Sequence, residues 1–133
     1  MTLHLNQVLL SCTDVARSIA FYQGLGLTLI VRKDGDAGPI YARFIVPGNQ
    51  ATLSLMLDPH AAPGGVEIAF ECEDLDARVA QLEAAGYVFD TAPEDKPYLW
   101  REAHLRDPDG HHLMLFRAGV NRLDPPWRLP ESK

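Results

Sequence analysis

The chain has 133 residues, of which 47% are hydrophobic and 23% are charged, as expected of one soluble globular domain with a sizeable core. Its formal net charge of -6 argues against nucleic acid as a partner, because binding to phosphates rewards clustered Lys and Arg. No apolar run approaches the roughly 20 residues of a membrane span, and the N-terminus lacks the basic and apolar regions of a signal peptide. The two cysteines stand in strand positions typical of buried thiols, so we expect a cytoplasmic protein with no nucleic-acid or membrane partner.

The first half of the sequence predicts a strand, a helix and then three strands. Alternating apolar residues indicate the first strand, over residues 5–11. Asp14 can accept hydrogen bonds from the free N–H groups at the start of the helix that follows. Further strands begin near Leu27 and Ile40, and the last strand contains the leucine-rich run at residues 53–55.

The second half repeats this pattern at an offset of 60 residues, as the pair Asp14 and Asp74 shows. A second alternating strand covers residues 66–72, and a second leucine-rich run stands at residues 113–115. An internal repeat of this kind indicates two similar half-domains. Equivalent positions in the two halves are expected to meet around a shared cleft.

This organisation predicts an α+β fold of two βαβββ modules related by a pseudo-twofold axis. The modules are expected at about residues 3–57 and 66–117, joined by a linker at residues 58–65 that is rich in Pro and Gly. Together they form a single predicted domain over residues 1–118, followed by a Pro-rich tail at residues 119–133. Alternating strands favour mixed sheets with helices on the outer face and a concave polar face inside.

The sequence resembles the vicinal oxygen chelate superfamily. The features that carry the resemblance are the repeat, the stretch Asp-Val-Ala-Arg-Ser-Ile-Ala-Phe-Tyr at residues 14–22, and the Asp-Pro-Asp-Gly turn at residues 107–110 before Leu-Met-Leu-Phe. It covers about residues 3–117. That superfamily contains glyoxalase I, extradiol dioxygenases, fosfomycin-inactivating transferases and bleomycin resistance proteins, so the resemblance implies the fold and leaves the function open.

The resemblance also implies where a divalent metal ion would bind, since metal-using members take ligands from the first and last strands of each half. Those positions correspond here to Gln7, Ser54, Glu67 and Met114. Gln7 and Glu67 are acceptable oxygen ligands, whereas Ser54 is a poor ligand and Met114 is a soft thioether unsuited to hard or borderline ions. We therefore expect no metal cofactor, with a divalent ion as the alternative.

Three histidines could change that expectation. His112 shares strand parity with Met114, and His104 has the opposite parity to its apolar neighbours, so both are predicted to face the cleft. His111 is predicted to be exposed by the turn. The alternatives for His104 and His112 are a histidine-assisted metal site or polar walls of a binding pocket.

Aromatic and arginine side chains suggest contacts with a ligand. Tyr41 and Arg43 share one face of their predicted strand, and Trp100 precedes the last hairpin. Such side chains can sandwich a planar or anionic ligand. The alternative is that Trp100 belongs to the core and that Arg43 is solvated.

Three functions remain open from the sequence. The first is a metal-independent protein of the bleomycin-resistance kind that binds a small molecule in the cleft. The second is a metal-dependent lyase or dioxygenase with an atypical ligand set, and the third is a metal-free isomerase or lyase with Glu67 or a histidine as general base. The predicted ligand-binding residues are Gln7, Tyr41, Arg43, Ser54, Trp100, His104, His112 and Met114, and Glu67 is the catalytic candidate.

A homodimer is expected, because the rigid segment Pro125-Pro126-Trp127 offers a large aromatic side chain to a partner.

Overall fold

The computed structural model describes residues 1–130 and contains two four-stranded sheets, each with one α-helix. The last three residues of the predicted tail lie outside the described residues. The chain divides into two compact units, of which the first comprises residues 1–65 with residues 107–111, and the second comprises residues 66–106 with the chain from His112 onward. Within residues 1–130, no helix is long and apolar enough to cross a membrane.

The first module has the strand–helix–three-strand order that the sequence predicts. Its sheet has the order β1-β4-β3-β2, in which β1 runs parallel to β4 and the other neighbours are antiparallel. The elements are β1 (Gln7–Cys12), α1 (Val15–Leu25), β2 (Thr28–Gly35), β3 (Gly38–Ile45) and β4 (Thr52–Leu57).

The second module repeats this topology with the sheet order β5-β8-β7-β6 and one parallel pair, β5 with β8. The elements are β5 (Glu67–Glu71), α2 (Leu75–Ala84), β6 (Phe89–Asp95), β7 (Arg101–Arg106) and β8 (His112–Arg117), followed by a short 3-10 helix, Gly119–Arg122. The predicted α+β fold of two repeated modules is confirmed. The shared cleft and the assignment of residues 1–118 to one domain stay predictions.

Strand register shows that the repeat extends to individual residues. Leu9 of β1 lies opposite Ser54 of β4, and Ala69 of β5 lies opposite Met114 of β8. Both members of the second pair are 60 residues beyond those of the first. The sequence offset therefore aligns the parallel strand pairs of the two sheets, β1 with β4 and β5 with β8.

The third strand of each module departs from that offset by one residue. Ser54 lies opposite Arg43 in the first sheet, whereas its counterpart Met114 lies opposite His104, which is 61 residues beyond Arg43. The cause is turn length, because residues 46–51 connect β3 to β4 while residues 107–111, one residue fewer, connect β7 to β8. The 60-residue offset therefore does not predict which residues of β3 and β7 occupy equivalent positions on the sheet faces.

In each module the helix covers one face of its own sheet, and this face forms the core. The helix-facing strand residues alternate with those of the opposite face, as a period of two requires. Core residues of the first module are Leu10, Cys12, Val15, Ile19, Tyr22, Leu25, Leu27, Ala42, Phe44, Leu53 and Leu55. Core residues of the second module are Leu75, Val79, Leu82, Ala103, Leu105, Leu113 and Leu115.

The turn at residues 107–111 is anchored in the core of the first unit. The buried Tyr22 hydroxyl donates to Asp107 Oδ2 at 2.7 Å, and Asp107 Oδ1 accepts from the backbone N–H groups of Asp109 and His111 at 3.0 and 2.9 Å. Burial and the neighbouring carboxylate raise the pKa of Tyr22 well above its ordinary value. Burial likewise raises the pKa of the Cys12 thiol, to about 11.

The same turn contacts the start of α1 through two further side chains. Asp109 Oδ1 accepts from the backbone N–H and the hydroxyl of Thr13 at 3.0 and 2.7 Å. His111 Nε2 lies 2.7 Å from the backbone oxygen of Ser11. The prediction that His111 is merely exposed is wrong, because this contact leaves the residue half-buried.

The two helices begin at equivalent aspartates, but only one of the two side chains caps its helix. Asp14 Oδ1 accepts from the backbone N–H of Arg17 at 3.1 Å, whereas the Asp74 side chain makes no capping hydrogen bond. We expect Asp14→Ala to lower the free energy of unfolding by about 0.5–2 kcal/mol. Urea denaturation measures the loss.

Asp74→Ala is the matched control for this substitution. It removes only the attraction of a carboxylate to the helix N-terminus, about 0.3–1 kcal/mol. Equal losses for the two variants would contradict the assignment of Asp14 as the capping residue.

Candidate functional site

The sheet face of the first module that lies opposite α1 carries a connected polar network. Gln7 Nε2 donates to Ser54 Oγ at 2.9 Å, and the Tyr41 hydroxyl donates to the same oxygen at 2.8 Å. Arg43 Nε and Nη2 donate to the Tyr41 hydroxyl at 3.1 and 3.0 Å. Thr52 Oγ1 also contacts Gln7 Oε1. Neighbouring strands of one sheet therefore present these five side chains on a single surface.

Arg43 is the one charged side chain among the five of this network. The hydrogen bond with Ser54 and the adjacent guanidinium lower the pKa of Tyr41 below its ordinary value. In the phenolate form, the Ser54 hydroxyl can rotate and donate to the Tyr41 oxygen. Among residues 1–130, no carboxylate lies within ion-pair distance of Arg43. The surface therefore offers a cation, a phenol and an amide to a ligand.

The corresponding face of the second module carries an acidic network centred on His104. Its Nδ1 lies 3.1 Å from Glu67 Oε2, and its Nε2 lies 3.0 Å from Glu102 Oε1. The Glu102 side chain is 6% exposed, His104 is 28% exposed and Glu67 is 40% exposed, so exposure increases along the network from Glu102 to Glu67. Both ring nitrogens can donate to these carboxylates only when the imidazole is protonated.

Two aromatic side chains lie beside this network. Trp100 stacks on Phe116, with ring centroids 4.5 Å apart and planes 14° apart, and its Nε1 donates to the Asn121 oxygen at 3.3 Å. Tyr98 meets Trp100 edge-on at 6.1 Å. Between them, Leu99 has a φ of 69°, the one positive φ among the described non-glycine residues, so the turn holds strained backbone.

A pocket of about 260 Å³ opens on this face of the second module. Two carboxylates, two aromatic rings and one thioether line it, from Glu67, Glu102, Tyr98, Trp100 and Met114. Partial desolvation, together with the hydrogen bond and charge of Glu102, raises the pKa of Tyr98 to about 12. The pocket therefore combines negative charge with aromatic surface.

The side chains at the metal positions that the family resemblance implies do not fit a divalent ion. Gln7 and the buried Ser54 already bond to each other, and Met114 is buried among Phe116 and Trp100. In the part of the chain that the structure describes, no three His, Cys, Asp or Glu side chains are arranged to hold a metal. One amide, one hydroxyl, one carboxylate and one thioether are a weak donor set for the hard or borderline ions of such sites.

The structure places the predicted residues on the two polar faces as strand parity indicates. Gln7, Tyr41, Arg43 and Ser54 share the first face, whereas Glu67, Trp100, His104, His112 and Met114 share the second. Whether they bind a ligand stays a prediction.

The sequence patterns did not identify Glu102 and Tyr98, which also line the pocket of the second module. Glu102 stands two residues before His104 and so faces the same way, a signal that the sequence contained.

Comparison with known proteins agrees with this architecture. The sequence model of the Glyoxalase/Bleomycin resistance protein/Dioxygenase superfamily matches residues 4–115, so the chain belongs to that family. An uncharacterized protein of Mycolicibacterium smegmatis is 32% identical over 111 residues, which cover 82% of this chain and 89% of that protein.

Solved structures show the same fold. A glyoxalase/bleomycin resistance protein/dioxygenase from Nocardioides is 25% identical with a TM-score of 0.76, and the match covers 98% of this chain and 91% of that one. A bleomycin-binding protein complexed with bleomycin is 23% identical with a TM-score of 0.68, and the match covers 87% and 98% of the two chains. The second likeness shows the fold alone.

The lowered pKa of Tyr41 generates a test of the first network. The pKa values of Tyr22, Tyr87 and Tyr98 are raised, so we expect Tyr41 to be the first of the four tyrosines to ionise as the pH rises. Phenolate absorbance during a pH titration measures this step. Ser54→Ala removes the largest cause of the shift and should move the step to higher pH.

Tyr41→Phe is the control for this titration. It should abolish the first phenolate step and leave the later steps in place. Persistence of the first step in that variant would show that another tyrosine carries it.

Proposed function

We propose that this protein binds a small organic molecule through the polar faces of its two sheets and does so without a metal ion. The observation that carries the proposal is the pocket of the second module, where Glu67, Glu102, Tyr98, Trp100 and Met114 surround about 260 Å³. Concave surfaces with aromatic walls and a few convergent polar groups are typical of small-molecule sites. A sheet face that served only stability would need neither the carboxylates nor the strained turn.

The first module supports the same proposal. Gln7, Ser54, Tyr41 and Arg43 hold one another in fixed positions, so their free donor and acceptor groups are already oriented. Preorganised polar groups lower the entropic cost of binding. The bleomycin-binding protein that shares this fold is complexed with bleomycin, which supports ligand binding as the role proposed here.

A metal-free isomerase or lyase is the second candidate function. The contact between His104 and Glu67 favours it, because a carboxylate at 40% exposure with one oxygen turned away from its partner is positioned to accept a proton. The metal-dependent lyase or dioxygenase is disfavoured by the weak donor set at the family positions.

The proposed function can be tested by thermal shift against a panel of antibiotics and metabolites. A compound that binds the native state raises the melting temperature in proportion to its concentration and affinity. We expect at least one organic compound to raise it equally before and after treatment with a chelator. A shift that disappears with the chelator and returns with a divalent ion would contradict the metal-independent proposal.

Glu67→Ala separates binding from folding in the same assay. Since the Glu67 side chain is 40% exposed and its hydrogen bond is to the partly exposed His104, its removal should weaken the ligand-induced shift and leave the melting temperature of the free protein nearly unchanged. A large loss of stability with unchanged ligand affinity would show a structural role. Product formation by the wild type that Glu67→Ala abolishes would favour the isomerase or lyase.

We also propose that the protein forms a homodimer. Trp127 is 55% exposed, so a large aromatic surface faces the solvent. Tryptophan is enriched at protein interfaces, where such a surface can be buried. Leu123 and Leu129, at 67% and 82% exposed, lie in the same C-terminal segment.

Light scattering at micromolar concentration should give twice the mass of the 14.7 kDa chain, and Trp127→Ala should lower that mass. A monomer mass for the wild type would refute the dimer.

A further inference from the structure

We infer that the pocket of the second module is a subsite for a cationic amine, that is, a protonated or quaternary ammonium group carried on an aromatic or apolar scaffold. This inference rests on the proposed function, because it names the class of ligand that the same site would take. It depends on three features of the pocket, which are its carboxylates, its aromatic rings and its size.

The carboxylates give the pocket a net negative charge. Glu67 reaches His104 through Oε2, which leaves Oε1 available to a ligand, and the buried Glu102 contacts the other nitrogen of the same ring. Even with His104 protonated, two carboxylates face one imidazolium. The cations that flank this turn in sequence have carboxylate partners elsewhere: Lys96 lies 3.6 Å from Glu94, and Arg101 lies 2.8 Å from Asp76 and 3.1 Å from Asp95. An anionic ligand group would therefore be repelled, and an ammonium group would be attracted.

The aromatic rings supply the second attraction. A cation held over the face of Trp or Tyr is stabilised by the ring quadrupole, most strongly where water is partly excluded. Trp100 is fixed by its stack on Phe116 and its hydrogen bond to Asn121, so the ring is in place before a ligand arrives. Tyr98 meets Trp100 edge-on and also lines the pocket.

The size of the pocket limits what it can hold. Its volume of about 260 Å³ lies below the roughly 300–1,000 Å³ of sites that take a whole drug-sized molecule. It therefore suits one ammonium group and one ring of a larger ligand. Met114 provides an apolar surface for that ring, since a thioether packs favourably against aromatic groups.

The charge requirement can be tested with three probes that share one scaffold. Protonated 2-phenylethylamine carries a positive charge, 2-phenylethanol is neutral and phenylacetate is negative. Titration followed by two-dimensional proton–nitrogen NMR reports on the indole N–H groups of the two tryptophans, Trp100 and Trp127. Trp127→Phe assigns the resonances, and in the wild type Trp127 serves as the internal reference.

We expect 2-phenylethylamine to shift the Trp100 resonance in a saturable way and to bind about tenfold more tightly than 2-phenylethanol. Phenylacetate should leave the resonance in place. Glu67→Gln, which keeps the shape of the side chain and removes its charge, should weaken 2-phenylethylamine to the level of the alcohol. Glu83→Gln makes the same change in net charge on the exposed surface of α2 and should leave the affinity within about twofold.

Other results would overturn the inference. Equal binding of amine and alcohol would show a pocket selective for rings and indifferent to charge, and equal weakening by Glu67→Gln and Glu83→Gln would show attraction to overall charge alone. If the thermal shift panel yields ligands but all three probes leave Trp100 unchanged, the cationic subsite is refuted and the proposed function stands. If neither the panel nor the probes bind, both are refuted.

Discussion

Burial of one face of each sheet beneath its helix is the constraint from which the rest of the structure follows. In β8, Leu113 and Leu115 are 0% and 5% exposed against the helix-covered side. Because side chains alternate along a strand, fixing these two residues places Met114 on the opposite face. A slip of one residue would exchange the two faces and bury polar groups in the core. Hydrophobic burial thus sets the positions of the candidate site residues.

The two modules use this scaffold for different chemistry. Tyr41 and Arg43 of β3 occupy positions equivalent to Glu102 and His104 of β7. In the first module the pair forms a network of a phenol and a cation, and in the second it forms an acidic one. The repeat therefore conserves backbone geometry while side chains diverge on the faces that the core does not need.

Sequence patterns predicted the fold and the facing of the site residues, because both depend on local periodicity. Parity alone placed Glu67, His104 and Met114 on one face. Contacts between side chains were harder to predict, since they depend on turn lengths that shift β7 by one residue against the repeat offset. The stack of Trp100 on Phe116 likewise depends on a turn with positive φ at Leu99, which no local pattern announces.

The two hydrogen-bond contacts of the His104 ring help to decide between ligand binding and catalysis as the role of this site. Burying the Glu102 carboxylate is costly unless hydrogen bonds compensate, and His104 supplies one of them from β7 itself. Glu67 Oε2 lies 3.1 Å from the second ring nitrogen, so both nitrogens already have a carboxylate partner. In this arrangement His104 serves to position two carboxylates on a shared surface. That role suits recognition of positive charge better than proton transfer by the imidazole, and Glu67 is the more exposed of the two carboxylates.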